Sequence, residues 1–243
     1  MDNFEYFRNV INFEKNKAMK TNKDLIRAAK ESLSGNYVQA AGALIITGLI
    51  GCTSSAGELL NLNLFLNFAL TLIIAIFVSA PLTCGLSNAF RLLASDKDGR
   101  LVANAFGIGF GENYFRFIGG YVLMYLIIIL GCILFIVPGI IWGLAYSLTP
   151  FILKDNPELG VTDALTASRM AMKGKKAKLL GLILSIILIP LIAMLVGALL
   201  ISIKPWLAAI LIIVSVAACI FYFTPVLETA ISHFYLEVKK EEK

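Results

Sequence analysis

Charge is what this chain has least of. Of its 243 residues only 15% are Asp, Glu, Lys or Arg, against roughly 25% in soluble domains. So few ions cannot cover the surface of an ordinary water-soluble domain, and the 58% of hydrophobic residues need a solvent other than water. Histidine is nearly absent as well. The single residue, His233, has Glu237 one helical turn later, which is half a metal site without the third protein ligand that catalytic zinc needs. We expect an interfacial ion pair there. The four cysteines, Cys52, Cys84, Cys132 and Cys219, lie in apolar segments without CxxC or Cys/His spacing, so they read as small buried hydrophobes, not as a metal or disulfide framework. No GxSxG, HExxH or intramembrane carboxylate pair occurs, so we expect no enzyme, no catalytic residue, no cofactor and no metal.

What the chain does have is apolar length. Candidate helices cover about 37–54, 64–87, 117–137, 139–153, 179–203 and 206–227. Residues 117–152 hold no Asp, Glu, Lys, Arg or His; as one helix they would be about 54 Å long, far beyond a hydrocarbon core of about 30 Å. A turn at Pro138-Gly139 divides them into two crossings. Basic residues agree, because short cytoplasmic loops are rich in Lys and Arg. Seven precede residue 37, none lies in 55–63, four lie in 91–116, none near Pro138, six in 154–178, one at Lys204 and three at the C-terminus. Six crossings with both termini cytoplasmic put every basic segment but Lys204 on one side. Trp142 and Trp206 then fall near the outer headgroup boundary, with Lys204 snorkelling beside Trp206. The first 31 residues hold five acids and no apolar core, which excludes a cleavable signal at this start. The expected organisation is a cytoplasmic extension over 1–24, a membrane domain over 25–238 and a charged tail over 239–243.

The pattern recurs three times. Aligning Gly35 with Gly174 lays 25–45 over 164–184 without gaps, and Ala28/Ala167, Lys30/Arg169, Leu33/Met172, Gly42/Gly181 and Leu44/Ile183 coincide. A third copy runs over 101–119 with Gly111 at the same place, and VSAPL, SLTPF and YFTPV carry Pro81, Pro150 and Pro225 at the inner ends of the even-numbered helices. The predicted fold is therefore an all-α integral membrane protein. It is a six-helix bundle of three helical hairpins, each preceded by a cytoplasmic amphipathic helix, with the prolines as kinks. In the second copy Thr162 is the expected N-cap, with Val161, Leu165, Ser168 and Met172 on one face opposite Arg169 and Lys173.

LIRAAKESLSGNY (25–37), PLTCG (81–85), VPGII (137–141), YSLTPFILKDNPEL (146–159), ALTASRMAMKGKK (164–176) and HFYLEV (233–238) together resemble a bacterial membrane family described only as domain of unknown function 975. The resemblance covers nearly all of 25–238, and 137–176 is its most specific part. It implies a multi-pass helical protein of the bacterial cytoplasmic membrane and carries over no activity or catalytic residue. Residues 1–18 lie outside it, with Met19 an alternative start, and Val226 stands where relatives would carry an aromatic.

Few residues invite chemistry. No span has an ionisable residue at its centre, which argues against an ion-coupled carrier. Glu228 lies at the inner boundary in a structural role. GIGFG (107–111) has no phosphate-cradle context and reads as a helix break. Gly139 and Gly143 form a GxxxG packing face. The cations Arg169, Lys173, Lys175, Lys176 and Lys178 set topology and can contact anionic lipid headgroups, with no role for nucleic acid. Two functions are expected to compete. One is a non-enzymatic membrane scaffold, stress or accessory protein for a membrane-protein partner. The other is a small permease or exporter for an uncharged or zwitterionic solute, which needs a cavity bounded by Asn67, Ser79, Thr83, Ser147, Thr149 and Thr224. In a scaffold those groups bond back to their own helices.

Overall fold

The structure is a computed structural model and describes residues 19–52, 63–96, 98–200 and 204–241. Every regular element among them is helical. In chain order these are α1 (Asn22–Leu33), α2 (Tyr37–Cys52), α3 (Leu64–Ile74) continuing through a π-helical turn Ala75–Ser79 into α4 (Ala80–Asp96), α5 (Leu101–Gly109), α6 (Tyr114–Leu134), α7 (Ile136–Tyr146), α8 (Thr149–Asp155), α9 (Val161–Ala171), α10 (Lys176–Leu200), α11 (Pro205–Ala218) continuing through a π-helical turn Cys219–Phe223, and α12 (Thr224–Glu241).

Five helical segments are long and apolar enough to cross a membrane: Leu64–Asp96, Tyr114–Leu134, Ile136–Asp155, Lys176–Leu200 and Trp206–Lys240. Helix α2, read as the first crossing, passes that test only together with α1, from which it is bent by 95°. Two crossings outrun their expected ends at 87 and 227, because α4 and α12 carry on beyond the apolar run and pack on each other. The tail expected over 239–243 begins inside α12, and the last residues of the expected extension 1–24 begin α1. Residues 1–18 lie outside the described residues.

Short helices form where apolar spacing and caps coincide. In α1 the Thr21 hydroxyl accepts the Asp24 amide at 3.3 Å, and Leu25, Ala29 and Leu33, four apart, are buried. Helix α9 buries Leu165, Ser168 and the following Met172 and exposes Arg169 and Lys173, as its spacing predicts. Its cap is Gly160, not Thr162, and no side chain closes it. Thr162 instead lies within the first turn, where its carbonyl accepts the Thr166 hydroxyl. The chain bends by 95° after α1 at Gly35 (φ 82°) and passes from α9 to α10 through Gly174 (φ 77°), the two glycines with positive φ among the described residues. An added Cβ at either would meet open space, so glycine serves the left-handed backbone alone.

Each of the three inner prolines is the second residue of a helical segment: Pro81 in α4, Pro150 in α8 and Pro225 in α12. Proline donates no amide and crowds the carbonyl four residues earlier. At Pro81 and Pro225 the preceding turn widens to π geometry, and at Pro150 the helix breaks at Ser147 and Leu148. Phe77, four residues before Pro81, loses its usual amide partner, and the Tyr114 hydroxyl donates to its carbonyl at 2.7 Å.

The break between α6 and α7 is at Phe135 (φ −162°, ψ 149°), not at Pro138-Gly139. Pro138 sits in the first turn of α7, where its missing amide costs no helical bond. Gly139 packs against Cys132 across the hairpin, and a Cβ on Gly131 would come within 3.1 Å of the Gly139 Cα. A Cβ on Gly143 would meet open space, so the close approach pairs Gly139 with Gly131 on the facing helix, not with Gly143 on its own. A second such crossing joins α4 to α5. A Cβ on Gly85 would meet the Gly109 amide at 2.8 Å, and one on Gly109 the Pro81 carbonyl at 2.6 Å. The segment 107–111 thus closes a helix contact at Gly109 besides ending α5.

The core is concentrated at one end. Phe90, Phe117, Phe151 and Phe234 are fully buried where α1, α5, α8, α9 and the ends of α4 and α12 gather. At the other end Leu64 is 87% and Leu199 76% exposed. All the described Lys and Arg except Lys204 lie with the packed end. Trp206 is exposed at the opposite end, while Trp142 packs on Gly131.

Candidate functional site

The packed end is built round Asn88, fully buried in α4. Its amide donates to the Cys84 carbonyl at 2.9 Å, the ordinary step back along its own helix, and to the Pro150 carbonyl at 2.9 Å, tying α4 to the start of α8. Its carbonyl oxygen accepts Arg91 Nε at 3.2 Å. Arg91 continues to Asp155 at 3.2 Å, with the two side chains 14% and 11% exposed. Asp155, at the end of α8, also accepts the Tyr235 hydroxyl at 2.7 Å and pairs with Lys239 of α12. Tyr235 stacks on Phe151 with ring centroids 4.7 Å apart. One carboxylate therefore holds three elements, α4, α8 and α12.

Arg116 performs the same task on the other side of α8. Its guanidinium donates to the carbonyls of Leu153 (3.2 Å), at the end of α8 where carbonyls lack helical amide partners, and of Asn156 (3.0 Å) and Leu159 (2.6 Å) in the turn that follows. Ser168 of α9 donates to the Ala145 carbonyl at 2.9 Å, serving the broken end of α7 in the same way. Asn88, Arg91, Arg116, Asp155 and Tyr235 were not singled out from sequence. The signal was present in two of them, since Arg116 and Asp155 closely flank the uncharged run.

The residues that sequence did single out are dispersed. His233 faces Ser32 of α1 at 3.0 Å, while Glu237 pairs with Lys20 at 3.4 Å and Lys240 at 3.5 Å. In place of the expected His233–Glu237 ion pair, Ser32 of α1, which packs along α12, meets His233, and Lys20 just before α1 meets Glu237. Glu228 is partly buried, and its carbonyl accepts the Ser232 hydroxyl. Cys84 is buried, Cys132 exposed and Cys219 intermediate, so the buried-hydrophobe reading fits Cys84 alone of these; the Cys52 side chain is outside the described residues. Arg169 and Lys173 are exposed and Lys175, Lys176 and Lys178 partly so, a surface strip over the end of α9 and the start of α10.

The hydroxyls that would discriminate a permease from a scaffold divide. Thr83 donates to the Ser79 carbonyl at 2.7 Å and Ser147 to the Leu144 carbonyl at 2.9 Å, each within its own segment. A cavity of about 550 Å³ lies between the α3–α4 segment and α6, and of the six named groups Ser79 and Thr83 line it. Tyr121 and Tyr125 face them, and the rest of the wall is apolar.

Residues 111–242 match the family described as Protein of unknown function (DUF975). The match takes in four of the five membrane-length helical segments, from Tyr114–Leu134 to Trp206–Lys240, and begins at Gly111, well after the resemblance expected from residue 25. No curated protein and no solved structure matches the chain.

Proposed function

The chain belongs to this family of unknown function, and on that premise we propose that it is a non-enzymatic, multi-pass protein of the bacterial cytoplasmic membrane, a scaffold, stress or accessory protein for a membrane-protein partner. One observation carries the reading. At the packed end Asn88, Arg91, Arg116, Asp155 and Tyr235 are committed to one another and to backbone carbonyls, as Asn88 to Pro150 and Arg116 to three carbonyls. Such groups make a fixed platform, and remaking their bonds in a transport cycle would strand buried polar atoms.

The topology within this proposal is six crossings with both termini cytoplasmic. Helix α2, about 24 Å long, is the first, and α1 lies across the membrane face. Clustering of cations at the packed end supports calling that end cytoplasmic, with Arg169, Lys173, Lys175, Lys176 and Lys178 beside anionic headgroups. Duplication is supported by the shared positive φ of Gly35 and Gly174 and by the matched positions of Pro81, Pro150 and Pro225. With the native cysteines replaced, a cysteine at Asn63 should label with an impermeant maleimide from outside and one at Ser95 only from inside. The reverse pattern inverts the orientation.

The second reading, a permease or exporter for an uncharged or zwitterionic solute, draws on Ser79 and Thr83 in the cavity. Liposomes containing the protein should release glycerol and glycine betaine no faster than empty ones. Saturable, protein-dependent release of either would replace the scaffold by the permease.

A further inference from the structure

The cavity between α3–α4 and α6 has a polarity gradient that suits a different occupant from a water-soluble solute. Its walls run antiparallel. At the end away from the basic face stand Leu72 and Ile76 on one side and Leu126 and Ile129 on the other; at the end toward it stand Ser79 and Thr83 facing Tyr121. Helical side chains lean toward the N-terminus of their helix. In α6 that direction is toward the basic end, so Tyr121 and Tyr125 lean down while Thr83 and Ser79 lean up to meet them. Tyr121 lies 5.3 Å, centroid to centroid, from Tyr125.

The space exists for local reasons. Ala75, Ser79 and Ala80 place small side chains on the wall at the π-helical turn, which the proline at 81 imposes, and π turns of this kind widen a helix at functional sites. At about 550 Å³ the volume falls within the roughly 300–1,000 Å³ of small-molecule sites. From Leu72 to Thr83 the wall is about 16 Å long at the helical rise, the depth of one leaflet of a core about 30 Å thick. Leu72, Leu126 and Ile129 are about half exposed at the rim, so the cavity opens sideways toward hydrocarbon and not along the bundle axis.

We propose that this groove is a lipid site that takes one acyl chain of a phospholipid from the leaflet next to the basic end, with the ester carbonyl at the Tyr121 and Tyr125 hydroxyls. Apolar walls match the methylene chain, and hydroxyl donors collect where the chain becomes an ester. The proposal goes beyond the scaffold reading and stands without it, since a permease could hold a structural lipid equally well.

The test uses the full chain in liposomes containing phosphatidylglycerol with a diazirine midway along one acyl chain. After illumination, crosslinks are mapped by peptide. Labelling of 72–83 and 121–129 should exceed severalfold that of the more exposed 184–199 on α10. Filling the groove with Ala75→Trp, or from the facing wall with Ile129→Trp, should lower groove labelling about tenfold, the effect of 1.4 kcal/mol, while Leu188→Trp leaves it unchanged. Equal labelling of all lipid-facing helices in the unmodified protein overturns the proposal whether or not either variant folds. So does unchanged groove labelling in a filled variant that melts normally. Labelling of the groove by a diazirine fatty acid but not by the phospholipid overturns it too, in favour of a free fatty acid.

Discussion

Asn88 donates its side-chain amide to the backbone carbonyl of Pro150, 62 positions away, at 2.9 Å. Both groups are buried, and the bond joins the crossing that enters through α3 to the one that leaves through α7. Asn88→Leu keeps the volume and removes the donor. It should cost about 1–3 kcal/mol, the penalty for a buried carbonyl left unsatisfied, read as a lower melting temperature of the detergent-purified protein. A melting temperature equal to that of the parent chain would show that this bond does not hold the packed end.

Asp155 joins Arg91, Tyr235 and Lys239. Asp155→Ala leaves the Arg91 guanidinium without its carboxylate in a nearly closed site, and a loss of about 3 kcal/mol is expected, at the low end for a broken buried pair because both groups keep some solvent. Arg91→Met combined with Asp155→Leu should recover most of that loss. Additive losses in the double-mutant cycle would mean that the two side chains act independently.

Glycine at 131 and 139 answers to steric need, and glycine at 143 does not. Gly131→Ala drives a methyl into Trp142 and toward Gly139, and Gly139→Ala drives one into Cys132; each should destabilise by about 1–3 kcal/mol. Gly143→Ala meets open space and gains helix propensity of up to about 1 kcal/mol. Unfolding of all three variants decides it, and the pattern fails if Gly143→Ala is the most damaging.

Outside the spans, the Asp98 carboxylate accepts the Arg100 guanidinium at 3.1 Å and the Asn104 amide at 3.0 Å. These bonds hold its pKa well below the ordinary carboxylate value, with the Arg100 side chain the largest cause and Asn104 next. A depressed folded pKa contributes stability that is fully present above the unfolded value, near 3.9, and is lost as pH falls through the folded one. Melting of the parent chain relative to Asp98→Asn should thus show a constant difference from pH 7 to pH 5 that shrinks only below about pH 4. A difference that changes between pH 5 and pH 7 would assign the effect to another group.

Much of the fold was legible because lipid imposes simple rules on sequence. Apolar length located five of the helices long enough to cross a membrane and the break between α6 and α7, and the spacing of Leu25, Ala29 and Leu33 marked α1. The break was misplaced by a few residues since Pro138 suits the first turn of a helix as well as a loop. Gly143 was overread for a related reason: a GxxxG spacing shows that two glycines share a helix face, not that another helix covers it. The polar cluster was largely illegible. Asn88, Asp155 and Tyr235 are ordinary residues in sequence, and nothing local says that Pro150 and Lys239 will meet them.

What the sequence determined by itself was the element type and the apolar, membrane-length character of five segments, because hydrophobic length depends on neighbours along the chain. Only the tertiary structure decided which end is packed, that Arg116 closes α8, and that small residues at a proline-imposed π turn leave a groove beside Tyr121. Those outcomes depend on distances between helices, and such distances are set by which side chains interlock across space.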